Sequence, residues 1–142
     1  MKVAIGYTRV STQSQSQEGV SLEAQADKIQ TWCQLNGYTL LQTLTDAGLS
    51  GGKLNRPALE EAIEAAIKNK AVLVVYSLSR FSRRTVDCLN LAEDLVKHGA
   101  SLVSLSERVD LTTASGLMVF RLLSVMAEAE RDHLRSKRVF LN

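Results

Sequence analysis

The sequence predicts an α/β fold, a mostly parallel sheet flanked by helices, with one long helix at the C-terminus. Three observations carry that expectation. Short apolar runs alternate with helix-length stretches in a β-α-β-α order, which favours parallel strands joined by helical crossovers. One run, Val72 to Tyr76, is continuously apolar, as a central parallel strand is when both its faces are covered. Near the end, a long stretch is apolar at successive positions rather than along one helical stripe.

The elements follow in order. Lys2 to Tyr7 reads as a strand, built on the apolar run Val3-Ala4-Ile5. Val20 to Asn36 reads as a helix, with Ser21 as its N-cap and Gly37 as its stop. Tyr38 to Thr45 is a second strand. A loop containing Gly48, Gly51 and Gly52 leads to Pro57, which suits the first position of a helix running to about Asn69. Ala71 to Tyr76 is the third strand, Thr85 to His98 a helix closed by Gly99, and Ala100 to Leu105 a fourth strand. The final helix spans about 115–138, roughly 35 Å at the usual rise per residue. Between Ala114 and Ala127 only Arg121 is charged. A helix apolar on every side must be covered on every side, and a domain this small covers one face. The other face calls for a second surface, most economically another copy of the chain. Residues 1–114 therefore read as the α/β core, and 115–142 as a long helix of the same domain.

At 142 residues the chain fits a single domain with a proper core. Apolar residues make up 45% and charged residues 23%, a balance that argues against disorder. No run approaches the roughly twenty apolar residues of a membrane span, and no signal-peptide pattern opens the chain, so a cytoplasmic location is expected. Cys33 and Cys88 stand singly inside expected helices, as core thiols of a reducing compartment do. His98 and His133 lack metal-ligand spacing, and no paired-carboxylate motif is present, so no metal is expected. Charge is uneven. Residues 1–130 carry 13 basic against 14 acidic side chains, whereas the last twelve carry Arg131, Arg135, Lys137 and Arg138 against Asp132. That basic end suits either a solvated helix terminus or contact with a polyanion.

Chemistry concentrates at two strand ends. Arg9 and Ser11 fall where the first strand finishes, and the third strand feeds into Ser79-Arg80-Phe81-Ser82-Arg83-Arg84. Ligands of open parallel sheets sit beyond the carboxyl ends of strands, so both segments belong to one rim. In an extended segment residues i and i+2 point the same way, which pairs Arg9 with Ser11. Arg80, Arg83 and Arg84, at i, i+3 and i+4, share one face if that segment is helical, and three like charges there call for an anion. Arginine suits phosphate because its planar fork binds two oxygens and keeps its charge. A serine hydroxyl among guanidiniums is equipped to attack a phosphodiester, because the cations offset the charge of the alkoxide and of the transferring phosphoryl group. Gly48 to Lys53 lacks the spacing of a nucleotide-binding phosphate loop, so no nucleotide is expected; neither is a Gly-x-Ser-x-Gly elbow present.

The run Tyr7-Thr8-Arg9-Val10-Ser11-Thr12 resembles the N-terminal signature of the serine recombinases, that is, the resolvases, invertases and large integrases. The likeness continues through Gln15, Ser21 to Gln25, Asp46 to Gly51, Asn55-Arg56-Pro57, Leu78 to Arg83, Thr113 to Gly116 and Ala129-Glu130-Arg131. The resemblance implies a resolvase-like catalytic domain. Ser11 would be the nucleophile, leaving a 5′-phosphoseryl linkage and a free 3′-hydroxyl. Arg9, Arg80 and Arg83 would cradle the scissile phosphate of double-stranded DNA. Gln15, Gln25 and Arg56 would support the site, with Tyr7 and Asp46 orienting neighbours. Arg84, Arg131, Arg135, Lys137 and Arg138 would contact DNA. The helix 115–138 would form a homodimer and, in the active state, a tetramer. No cofactor would be needed, since the serine ester retains the energy of the broken bond.

Departures accompany the likeness. Many relatives carry aspartate where this chain has Ser79, and an acidic residue where it has Ser136. The chain stops at Asn142, where relatives continue into a sequence-reading domain. The segment between Ser11 and Ser21 is longer than in short resolvases, which leans toward a larger integrase-like parent. Two other readings stay open at this point: a catalytically silent relative that regulates assembly, and a non-catalytic α/β phosphate-binding module.

Overall fold

The sheet has five strands in the order β2-β1-β3-β4-β5. In the computed structural model, residues 2–10, 20–47, 57–78, 85–123, 125, 126 and 129 are described. The strands are β1 (Val3–Val10), β2 (Thr39–Ala47), β3 (Val72–Val75), β4 (Ser101–Ser104) and β5 (Val109–Asp110). Between them run helices α1 (Leu22–Leu35), α2 (Pro57–Asn69) and α3 (Thr85–Lys97). Pairing is parallel for β1–β2, β1–β3 and β3–β4, and antiparallel only for β4–β5. This mixed sheet agrees with the fold expected from the sequence.

Strand alternation divides the core. On one face Ile5, Tyr7, Leu73, Val75 and Leu102 pack against Leu59, Ala62 and Ala66 of α2 and Cys88, Leu89, Ala92 and Leu95 of α3. On the other, Ala4, Val72, Val74 and Val103 pack against Ile29 and Cys33 of α1. Crossovers in a parallel sheet are right-handed, so the first one, moving from β1 outward to β2, covers one face. The next two reverse direction along the sheet and cover the other. The reversal makes a topological switch point between β1 and β3, where open α/β sheets place their ligands.

Several sequence-level expectations hold locally. Ser21 caps α1 by accepting from Ala24 N at 3.1 Å. Pro57 opens α2, and Gly37 and Gly99 adopt φ of 76° and 86° just past α1 and α3, where a left-handed residue closes a helix. Three elements differ, with β2 running two residues past the expected Thr45 to Ala47. β1 runs three residues beyond the expected Tyr7, because β2 continues to pair with it as far as Val10↔Ala47. The short strand β5 has no counterpart in the sequence reading. Its two residues are too few to show periodicity, and it exists because a tight turn folds it back on β4.

Residues 114–123, 125, 126 and 129 are helical, and we call this segment α4. Leu117 and Phe120 pack on the core, while Met118, Val119, Leu122, Leu123, Val125 and Met126 are all exposed, Met118 to 66%. The rest of the expected helix, including Arg131, Arg135, Lys137 and Arg138, lies outside the described residues. α4 begins against β5: a Cβ on Gly116 would meet the Asp110 carbonyl oxygen at 1.8 Å, a contact that backbone must move to relieve. Gly116→Ala should therefore cost about 1–3 kcal/mol, as overpacking does, and urea denaturation would measure it.

Candidate active site

The site is built where β1 loses a neighbour. β1 pairs with β3 only over Ala4–Tyr7, but with β2 to its last residue. Beyond Tyr7 the backbone groups of β1 need another partner, because buried amide groups left unpaired are costly. Gln25 of α1 supplies it. Its side-chain amide offers one acceptor and a donor pair, as a peptide on a neighbouring strand would. Oε1 accepts from Arg9 N at 3.3 Å, and Nε2 donates to Arg9 O at 3.1 Å. The second Nε2 hydrogen goes to Val20 O at 3.3 Å. Gln25 is 0% exposed and every polar atom of its side chain is used. Both main-chain polar groups of Arg9 are thus held by Gln25, while β1 stays in register with β2 to Val10 on its other edge.

Asp46 fixes the same region from below. Arg9 and Asp46 are register partners across β1–β2. The Asp46 carboxylate, 4% exposed, accepts from Tyr7 Oη at 2.8 Å and Leu59 N at 3.1 Å through Oδ2, and from Ala58 N at 3.1 Å through Oδ1. Ala58 and Leu59 follow Pro57 in the first turn of α2, where backbone N–H groups have no intrahelical acceptor. Asp46 therefore caps α2 from a distance, and its negative charge suits the positive end of that helix. One side chain ties two strands and a helix together. Beside it Thr8, 1% exposed, shares a 2.7 Å hydroxyl contact with Thr45.

Of the residues expected at the site, Tyr7 bonds to Asp46, Gln25 bonds to the Arg9 main chain, and Arg9 and Asp46 are register partners near the carboxyl end of β1. Ser11, Gln15, Arg56, Ser79, Arg80, Arg83 and Arg84 lie outside the described residues. One residue escaped the sequence reading. Both Glu107 carboxylate oxygens lie 3.2 Å from Leu78 N, one position before Ser79. Nothing in its local sequence, a polar turn between β4 and β5, signals that long-range contact.

Among the described residues no group of three or more His, Cys, Asp or Glu side chains could hold a metal ion, and no helix is long and apolar enough to cross a membrane. Burial pushes the Cys33 thiol up, the behaviour of a structural rather than a nucleophilic cysteine.

Against known proteins, residues 4–139 match the family described as the resolvase N-terminal domain. The chain belongs to that family. It is 36% identical over 130 residues to the transposon Tn552 resolvase of Staphylococcus aureus, covering 90% of this chain and 59% of that protein. Against the DNA-invertase hin of Salmonella typhimurium, identity is 31% over 131 residues, with 90% and 60% covered. The chain therefore spans about three-fifths of the length of these curated relatives. Among solved structures, the N-terminal catalytic domain of TP901-1 integrase superposes with a TM-score of 0.79 at 38% identity, covering 92% of this chain and 98% of that one. A resolvase family site-specific recombinase from Streptococcus pneumoniae gives 0.78 at 29% identity, with 98% and 94% covered. The similarity to the integrase domain thus extends over most of both chains.

For this resolvase-family domain the hydrogen-bond geometry sets an order of costs. Gln25→Leu strips the Arg9 main chain of both side-chain partners and should destabilise by about 2–4 kcal/mol. Tyr7→Phe leaves Asp46 two of its three donors and should cost about 1–2 kcal/mol. Urea titrations of both variants against the parent would check that ranking.

Proposed function

We propose that this chain is the catalytic domain of a site-specific DNA recombinase that cleaves and rejoins DNA through a covalent 5′-phosphoserine intermediate. The observation that carries the reading is the clamped end of β1. Gln25 and Asp46 hold the backbone and neighbours of Arg9 at the switch point, two residues before Ser11 and beside the end of the strand that leads to Arg80 and Arg83. Family membership and the likeness to an integrase catalytic domain support it.

In this reading Ser11 Oγ gives up its proton and attacks the phosphorus. The new bond is a serine phosphoester, and the bond broken runs from phosphorus to the 3′ oxygen, which leaves with a proton as a hydroxyl. Arg9, Arg80 and Arg83 neutralise the phosphate oxygens as charge builds. A 3′-hydroxyl of the recombining strand then attacks the ester and releases Ser11. The number of phosphoesters is unchanged, so neither nucleotide nor metal is required. Gln15, Arg56 and Ser79 support the site.

The apolar face of α4 is the interface for a second copy, first as a dimer and then as a tetramer. The segment 115–142 extends from the core of residues 1–114, and Arg84, Arg131, Arg135, Lys137 and Arg138 contact the DNA backbone. Six exposed large apolar side chains on one helical segment favour association, because so much apolar surface is costly to leave in water.

A fusion of residues 1–142 to a zinc-finger array, which supplies site binding, tests the reaction class. A denaturant-resistant protein–DNA adduct mapping to Ser11 is expected on a matching paired site, and none with Ser11→Ala. A fusion that binds and dimerises yet forms no adduct would overturn the proposal. Arg9→Lys should slow adduct formation roughly a hundredfold by removing a planar phosphate ligand. In sedimentation velocity, Leu122→Glu combined with Met126→Glu should shift the protein toward monomer.

A further inference from the structure

We propose that Glu107 is a positioning residue for the arginine-bearing segment 79–84, anchoring the root of that segment to the turn between β4 and β5; this rests on reading Arg80 and Arg83 as phosphate ligands.

The anchor completes a ladder that the backbone cannot finish. Past the end of β3 its carbonyls are still paired to the chain leaving β4, with Leu105 N donating to Val75 O at 3.1 Å and Ser106 N to Tyr76 O at 2.8 Å. After Ser106 the neighbouring chain turns away toward β5, and a backbone acceptor is no longer offered to Leu78. The Glu107 carboxylate takes that place, with both oxygens 3.2 Å from Leu78 N. Ser104 Oγ donates a short hydrogen bond to Glu107 Oε1, so the carboxylate is itself held by β4. On the other side of the same residue, Cys88 Sγ of α3 donates to Leu78 O at 3.4 Å. Leu78 is therefore fixed through both of its backbone groups, directly before Ser79.

A second observation concerns the turn. Arg108 is not glycine yet adopts φ 58°, in the left-handed region. Side chains rarely accept that conformation, and it persists where surrounding contacts over-determine it. Arg108 N donates to Leu105 O at 3.3 Å, closing the turn that carries Glu107. The left-handed turn and the carboxylate together fix Leu78, which precedes Arg80 and Arg83 in the sequence by two and five residues.

Glu107 is exposed, so its replacement should leave the core intact. The test uses the zinc-finger fusion, in which affinity for the site is set by the fingers, with Glu107→Ala, Glu107→Gln and Glu107→Asp. Glutamine keeps the reach and an acceptor without the charge, and aspartate keeps the charge but is one methylene short. The proposal expects Ala and Asp to lower the first-order rate of adduct formation at saturating DNA roughly a hundredfold, the effect of misplacing a ligand by about 1 Å. Half-saturating DNA concentration should not change, and Gln should stay within about threefold of the parent. Hydrogen exchange at the Leu78 amide should accelerate at least about tenfold in the Ala variant and little in Gln. An Ala variant with parental cleavage rate, Gln as impaired as Ala, or Leu78 exchange unaltered would each overturn the proposal. If the parent fusion itself forms no adduct, the cleavage reading falls instead, and Leu78 exchange alone decides the anchor.

Discussion

The buried carboxylate of Asp46 is the interaction on which the site's arrangement depends. It is placed near the end of β2, opposite Arg9, and its three donors come from β1 and from the first turn of α2. A carboxylate so far from water is stable only when its oxygens are satisfied. That requirement couples the relative positions of β1, β2 and α2 to one another. Moving any of them strands a charge or an orphan helix amide, so the edge pair of the sheet and the helix crossing it behave as one unit.

The Gln25 amide extends the same logic. Parallel sheets satisfy each strand through its neighbours, and where β3 stops short β1 would otherwise end. Gln25 replaces the missing neighbour and lets β1 protrude beyond β3 as an ordered strand. On the far side of the switch point, Leu78 is secured by Glu107 and Cys88 in the same manner, with side chains completing what the sheet leaves unpaired. Both strand ends use polar side chains from distant elements as substitutes for backbone.

α4 follows the opposite principle. Leu117 and Phe120 join the core, yet the remaining apolar side chains meet water. Among the described residues, its packing on the α/β layer leaves six large apolar side chains uncovered. Gly116 shows how closely the beginning of the helix is seated, with the Asp110 carbonyl occupying the space of a side chain. The start of α4 is thus seated against the end of β5.

By itself the sequence determined the α/β class, the order of β1 to β4 and their helices, and the caps at Ser21, Pro57, Gly37 and Gly99. These depend on local periodicity and local backbone preference, which neighbouring residues express. Tyr7, Arg9, Gln25 and Asp46 were legible as a group only through their family resemblance, for nothing in their spacing says that they touch. Tertiary structure decided the rest. It decided that β1 runs on to Val10, that Gln25 serves as a surrogate strand, that Asp46 caps a helix twelve residues away, that β5 exists, and that Glu107 reaches Leu78. Each of these depends on a polar group finding a partner distant in sequence. Such partners are chosen by the packing of the sheet, and no local pattern of residues records the choice.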